Sequence, residues 1–324
     1  RDPPVQLGLK IDVDTYRGTR EGVPRLVDLL KKHAAQASFL FSLGPDHTGR
    51  AVKRVFRRGF VGKVSRTSVL EHYGLRTLLY GTLLPGPDIG RKAAATMRAV
   101  REAGFEAGVH TWDHVKWQDG LAAADAAWIF DQMQRATARF REVFGEPPRL
   151  HGAAGWQMNR HAFRLEQRLG YGYASDTRGD TPFLPVWDGE VTLCPQIPTT
   201  LPTLDELIGL DGVTPANVAE RLLARTAQAA RPLEVFTLHA ELEGMKLAGV
   251  LDALLTGWRA QGYRLVSLGE VFAALETSEL AHHRVQAGQV PGRSGTLAVQ
   301  GPRFLAPAGD AAAQASPSAA LPAA

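Results

Sequence analysis

Cysteine is nearly absent from this chain: Cys194 is the one thiol in 324 residues. A single thiol excludes an internal disulfide and fits a reducing compartment. Long apolar runs are missing as well. No window reaches the roughly 18 consecutive apolar residues that a spanning helix requires, so no transmembrane anchor is expected. Charge of one sign is not in excess either, since 37 Lys and Arg stand against 33 Asp and Glu, leaving +4. With no basic face over most of the chain and no aromatic stacking platform, a nucleic-acid partner is not expected. Nothing ahead of the first apolar run has a leader pattern, although the sequence starts at Arg1 and so says nothing about processing. What is abundant is apolar side chain, 44% of residues. That suffices for a full core, in a length that suits one α/β barrel of about 250 residues with appendages.

Short β-rich runs alternate with helical periodicity, the pattern of a parallel sheet with crossover helices. Strands are predicted at 7–12, 37–43, 106–110, 149–153, 172–176, 190–197, 233–239 and 263–268, and helices at 22–33, 89–103, 122–144, 160–169, 215–230 and 246–261. They make residues 5–275 one domain. Two segments stand apart from it. Residues 46–88 break the alternation, and between 47 and 76 they carry Arg50, Lys53, Arg54, Arg57, Arg58, Lys63, Arg66 and Arg76 against Glu71, interleaved with Val52, Val55, Phe56 and Phe60. Such an insertion reads either as a helix lying on an anionic membrane surface or as a solvated basic hairpin on the barrel flank. From 276 to 324 the composition turns to Ala, Pro, Gly and Ser, which predicts a disordered tail in which His282 and His283 are exposed and unliganded.

The stretch with most chemistry in it is His110-Thr111-Trp112-Asp113-His114. Two imidazoles four residues apart can close on one metal ion. They can equally be a polar helix start with Trp112 in the core. Far upstream, Asp12 and Asp14 alternate at the end of the run Leu7, Leu9, Ile11. Strand geometry sends both to one face, so one carboxylate can bind a metal while the other stays free as a base, unless the pair simply caps the following helix. These residues, with Asp176 and His239, fall at the C-terminal ends of predicted strands, the rim where β/α barrels assemble active sites.

In order and separation, Asp12-Val13-Asp14, His110 to His114, Asp176 and Thr237-Leu238-His239 resemble the motifs of the metal-dependent polysaccharide deacetylase family, over roughly residues 7–275. The runs 11–25, 153–156, 196–203 and 239–244 are similar to those of its deformylase branch. That branch takes formate from a lipid-linked 4-formamido sugar at the cytoplasmic face of the bacterial inner membrane, in the aminoarabinose modification of lipid A that confers polymyxin resistance. The resemblance implies a distorted (β/α) barrel and one divalent metal, Zn, Mn, Co or Fe, on Asp14, His110 and His114. It implies Asp12 as general base, His239 as general acid, and no obligate protein partner. Asp176 would orient His239, if it is not a turn or capping residue. Arg17 and Arg20 would grip the lipid-linked phosphate, or else be surface cations. Trp156 would wall the sugar site, or else be core. The family's third motif supplies an arginine that holds the catalytic aspartate, whereas here the region reads Ala153-Ala154-Gly155-Trp156. Arg178 or a backbone amide is the expected substitute, and Arg178 is also read as a substrate contact. His33, His72, His151 and His161 are read as structural or exposed. The alternatives to a deformylase are a peptidoglycan or chitin-type N-deacetylase of the same family, and a membrane-binding scaffold without catalysis.

Overall fold

A computed structural model describes residues 5–57, 73–228 and 231–305. Its strands, in chain order, are β1 (Gln6–Val13), β2 (Ser38–Ser42), β3 (Glu106–Thr111), β4 (Leu150–His151), β5 (Tyr173–Ala174), β6 (Leu184–Trp187), β7 (Glu190–Val191), β8 (Leu233–His239), β9 (Arg264–Val266), β10 (His282–Gly288) and β11 (Leu297–Arg303). One sheet runs β5-β4-β3-β2-β1-β8, all pairs parallel, and β9 also joins β1. β1 is central: one edge meets β8 along its length, while the other meets β9 at residues 6–8 and β2 at residues 10–13.

Alternation along β1 divides two environments. Leu7, Leu9, Ile11 and Val13 belong to the apolar layer under the crossover helices. Gly8, Lys10 and Asp12 point the other way, into the barrel, where Leu40, Leu150, Ile197, Val235 and Val266 form a separate cluster. The helices that cover the outside follow their sequence signals. Helix Ala126–Phe144 starts where the Asp125 side chain accepts the Trp128 N–H and stops at left-handed Gly145, and helix Arg160–Leu169 is bounded in the same way by Asn159 and Gly170. Helix Ala248–Ala260 sinks Trp258 completely, edge-on to Phe236 of β8 at 5.1 Å.

The strand predicted at 190–197 is not continuous. Only Glu190–Val191 pairs regularly, against β6. From Pro195 onward the chain runs irregularly between β5 and β8, with hydrogen bonds Ala174 N to Pro195 O, Ile197 N to Ala174 O and Thr200 N to Val235 O. Pro195, Pro198 and Pro202 have no N–H to give, so a regular ladder cannot form there. This segment spans the gap that a further strand would fill, and the barrel is accordingly distorted.

The predicted tail also begins later than 276. Residues 282–303 form the β10–β11 pair, which continues into β6 and β7 as a second, four-stranded sheet. Arg178 N donates to Ala298 O, and Gln300 N to Arg178 O, tying β11 to the chain beyond β5. Periodicity missed these strands because few of their side chains are apolar and buried: Val285, Leu297 and Ala298. Residues 306–324 lie outside the described residues, as does the insertion between 58 and 72.

Glu206 fastens this extension. Its carboxylate accepts both Nη groups of Arg178, at 2.7 and 2.9 Å, and Nε of Arg293 at 2.8 Å. Burial pushes the Glu206 pKa up, but the two guanidiniums outweigh burial and hold it below the ordinary value. A folded-state pKa lowered in this way stabilises the fold above the unfolded-chain value of about 4.3, and that stabilisation fades as pH falls through the folded value. Thermal melts of wild type and Glu206→Gln are therefore expected to differ most at pH 7 and to converge toward pH 3. Glu206→Ala, which strands a buried arginine, is expected to lose about 3–5 kcal/mol at neutral pH by chemical denaturation.

Candidate active site

β1 delivers Asp12 and, one residue past its end, Asp14; β3 delivers His110. Asp113 then caps helix His114–Gly120, accepting the Lys116 N–H at 3.1 Å, which turns the chain so that His114 sits in the first helical position beside His110. Both Nε2 atoms face one oxygen: His110 Nε2 lies 3.2 Å and His114 Nε2 3.3 Å from Asp14 Oδ1. His110 Nδ1 donates to the Gly152 carbonyl at 2.6 Å, which leaves the lone pair on Nε2. Asp14 Oδ1 is buried and accepts no hydrogen bond among the described residues. Two imidazole nitrogens and an orphaned carboxylate oxygen converging on one point fit a divalent transition cation, with coordination positions left open.

Asp12 stands beside this triad and outside it, 3% exposed, with Oδ1 3.9 Å from His110 Nδ1. His239 ends β8. Its backbone N–H donates to Glu243 Oε2 at 2.9 Å, while the ring Nδ1 is buried and unpartnered among the described residues. Burial lowers the imidazole pKa, but Asp14, Asp205, Asp12 and Glu243 raise it to about 9. Asp12, Asp14, His110, His114 and His239 share a pocket of about 320 Å³, completed by Trp156, Tyr73, Glu241 and Arg293 among others. Through Tyr73 it adjoins a second pocket of about 590 Å³, where Arg17, Arg20, Arg76 and Lys92 mingle with Tyr80, Leu84 and Pro85.

Glu241 was not singled out by sequence reasoning, although it sits in the acidic run after His239. Its Oε1 accepts the N–H groups of Asp14 (2.9 Å) and Thr15 (2.8 Å) and the Thr15 hydroxyl (2.9 Å), so it holds the turn that presents Asp14. Arg293 was equally invisible, because it belongs to the stretch read as tail.

Two expectations need correction. Asp176 does not orient His239. Its oxygens accept His151 Nδ1 and Ala153 N–H, both at 2.8 Å, and Gln196 Nε2 at 2.7 Å, so Asp176 holds the corner after β4 whose Gly152 carbonyl steadies His110. Arg178 is spent on Glu206 and the Leu201 carbonyl, and is neither a substrate contact nor a partner for Asp12. Trp156 is 2% exposed, with the guanidiniums of Arg178 and Arg293 each 4.8 Å from its ring. It is a packed residue that also belongs to the lining of the first pocket. Its backbone is left-handed (φ 51°), an unfavourable conformation for so large a side chain. Arg17 and Arg20 come together, both on Glu21 at 3.0 Å, but in the second pocket rather than the first.

Residues 9–174 match the family model described as polysaccharide deacetylase. A protein of Shewanella sediminis named probable 4-deoxy-4-formamido-L-arabinose-phosphoundecaprenol deformylase is 36% identical over 266 residues, 82% of this chain and 85% of that one. A Wigglesworthia glossinidia brevipalpis protein of the same name is 29% identical over 285 residues, 87% and 98% of the two chains. Among solved structures, a Mycobacterium smegmatis protein assigned to the polysaccharide deacetylases superposes with a TM-score of 0.61 at 16% identity, covering 90% of this chain and 97% of that one. A peptidoglycan N-acetylglucosamine deacetylase gives 0.51 at 14% identity, covering 84% and 89%. These superpositions show the fold.

The turn after β1 tolerates no side chain at Gly18, where a Cβ would lie 2.0 Å from Glu241 Oε1. Gly18→Ala displaces that carboxylate and leaves the N–H groups of Asp14 and Thr15 unpaired. The expected result is a loss of about 1–3 kcal/mol of stability in urea titrations. Weaker retention of a divalent metal on dialysis should accompany it.

Proposed function

Because this chain belongs to the polysaccharide deacetylase family and is an amide hydrolase, we propose that it removes formate from a 4-deoxy-4-formamido-L-arabinose carried on undecaprenyl phosphate. The observation that carries this reading is the pairing of a small pocket holding the hydrolytic residues with an adjoining pocket that is both cationic and apolar. A free sugar amide needs the first pocket alone. A sugar linked through phosphate to a lipid needs both.

Hydrolysis breaks the C–N bond, adds water across it and releases formate and the free amine. A divalent cation (Zn, Mn, Co or Fe) held by Asp14, His110 and His114 would supply Lewis acidity toward the amide carbonyl. Asp12 accepts the proton of the attacking water, which its place outside the donor triad allows. His239 donates a proton to the departing nitrogen, since an amide anion is too poor a leaving group to depart alone. Arg17 and Arg20 turn from Glu21 to the substrate phosphate, where a guanidinium makes bidentate contacts. The catalytic unit runs beyond the expected 5–275 and includes Arg293, which lines the first pocket.

The insertion serves as the membrane contact. No helix among the described residues is long and apolar enough to cross a membrane. Leu75, which lines the second pocket together with Arg76, is 66% exposed, and Leu83, the neighbour in sequence of the lining residue Leu84, is 82% exposed. Apolar tips among cations suit the surface of an anionic bilayer. The resemblance to the deformylase branch carries the further proposal that the protein is a peripheral enzyme at the cytoplasmic face of the inner membrane, in the aminoarabinose modification of lipid A linked to polymyxin resistance.

Formate release from the formamido-arabinose lipid, set against acetate release from N-acetylglucosamine oligomers, tests the substrate. Formate alone is the expected product, and acetate alone would make the chain an N-deacetylase of cell-wall or chitin-type sugars. Neither product, with metal restored, would leave a scaffold. Asp12→Asn is expected to keep its metal and slow turnover by about 10²–10⁴-fold, whereas His114→Ala is expected to lose metal by elemental analysis. In flotation with phosphatidylglycerol vesicles, changing Lys53, Leu75, Arg76 and Leu83 to Glu should abolish recovery in the floating fraction; unchanged recovery refutes the membrane assignment.

A further inference from the structure

Asp12 carries a buried carboxylate whose Oδ1 accepts no hydrogen bond among the described residues. A charge in that position needs a counter-charge. The arginine expected from the third motif is missing, and Arg178 is committed to Glu206. Among the described residues, Asp12 forms ion pairs with His110 and Lys10, both at 3.9 Å. His110 Nδ1 has already given its proton to the Gly152 carbonyl. Lys10 remains.

Lys10 lies two residues before Asp12 on the same strand, so both point to the barrel interior. Its side chain is 0% exposed, an unusual state for lysine. Nζ donates to the Ser175 carbonyl at 2.8 Å and stands 5.2 Å from the centre of the Trp156 ring. Only one of its three N–H groups is thereby used on a protein carbonyl, and Asp12 Oδ1 lies within reach of a small movement. Burial sets the Lys10 pKa below its ordinary value, and the carboxylates of Asp12, Asp176 and Asp14 offset only part of that. The positions of Ser175 and Trp156 bear on the same point. Ser175 precedes Asp176, which anchors the corner after β4, and Trp156 lies in the stretch where the third-motif arginine is missing. The ammonium therefore lies beside the stretch in which the third-motif arginine is missing, and it is supplied by β1 instead.

We propose that Lys10 is the positioning residue for Asp12: its buried ammonium holds the carboxylate in line with the reacting water, in place of the absent arginine. The proposal rests on the reading of Asp12 as general base. A lysine present only to fill the barrel would be replaced by a methionine of similar length without effect on chemistry. One that positions Asp12 would not, and its effect would vanish once Asp12 no longer acts as a base.

The test is steady-state formate release by wild type, Lys10→Met, Lys10→Arg, Asp12→Asn and the Lys10→Met/Asp12→Asn double variant, with melting temperature and bound metal measured on each. Lys10→Met should reduce kcat by about 10²-fold, the loss that a misplacement near 1 Å produces, with KM changed less than about twofold because substrate contacts are intact. Metal content should stay at the wild-type level. Lys10→Arg, which keeps the charge, should recover most of kcat. The double variant should be no slower than Asp12→Asn alone, since residues acting through one group are not additive. An unchanged kcat in Lys10→Met overturns the proposal, and so does a Lys10→Met loss that multiplies in full onto Asp12→Asn. If Lys10→Met does not fold, Lys10→Arg decides: folded and active supports the role, and folded, metal-loaded and as slow as Asp12→Asn overturns it. An Asp12→Asn enzyme as fast as wild type refutes the base assignment instead, a result distinguishable from either.

Discussion

Two carboxylates, Asp12 and Asp14, stand at the end of a strand with parallel neighbours on both edges, the first buried and the second part-buried. Charge is costly there unless something answers it, and much of the surrounding structure provides that answer. Asp14 faces two imidazole nitrogens, and the tautomer of one of them, His110, is set by the Gly152 carbonyl just beyond β4. Its own amide is held by Glu241, and Glu241 fits only because residue 18 has no side chain. Asp12 is answered by a lysine from its own strand. The geometry of the site thus follows from electrostatic necessity within a low-dielectric barrel mouth.

The supporting residues form a second layer behind the reacting ones. Asp176, His151 and Gln196 lock the corner after β4, and that corner carries the Gly152 carbonyl that steadies His110. Glu206 clamps Arg178 and Arg293 on either side of a chain crossing, and these two guanidiniums pack against Trp156. Because the barrel is closed by an irregular, proline-containing segment rather than by a regular strand, side chains such as Gln196 and Thr199 replace part of the missing ladder: Thr199 shares a hydrogen bond with Thr237 of β8. Polar groups inside this barrel are numerous, and most are satisfied by one another.

Legibility in the sequence followed the range of the interactions. The central strand could be read because apolar and polar residues alternate along it, and helices such as 160–169 because Asn159 and Gly170 mark their ends. The pairing of His110 with His114 could be read because one cap and one turn bring them together. By contrast, β10 and β11 looked like tail. They pair with each other and are held to the barrel through β6 and Arg178, about a hundred residues away, by backbone pairing that leaves little trace in composition. Arg178 was misread for a related reason: a guanidinium near the motifs is equally able to bind substrate or to neutralise Glu206, and only proximity distinguishes the two.

The sequence by itself determined a parallel α/β barrel, the rim where its chemistry-bearing residues gather, and the identities of Asp12, Asp14, His110, His114 and His239. These depend on local periodicity, on capping and on short spacings, all properties of neighbouring residues. Tertiary structure alone decided which charge answers which: Glu241 to the Asp14 turn, Asp176 to His151 rather than His239, Arg178 and Arg293 to Glu206, Lys10 to Asp12. Coulomb and hydrogen-bond energies fall steeply with distance in space and are indifferent to distance along the chain. Such pairings exist only once the strands have been brought together.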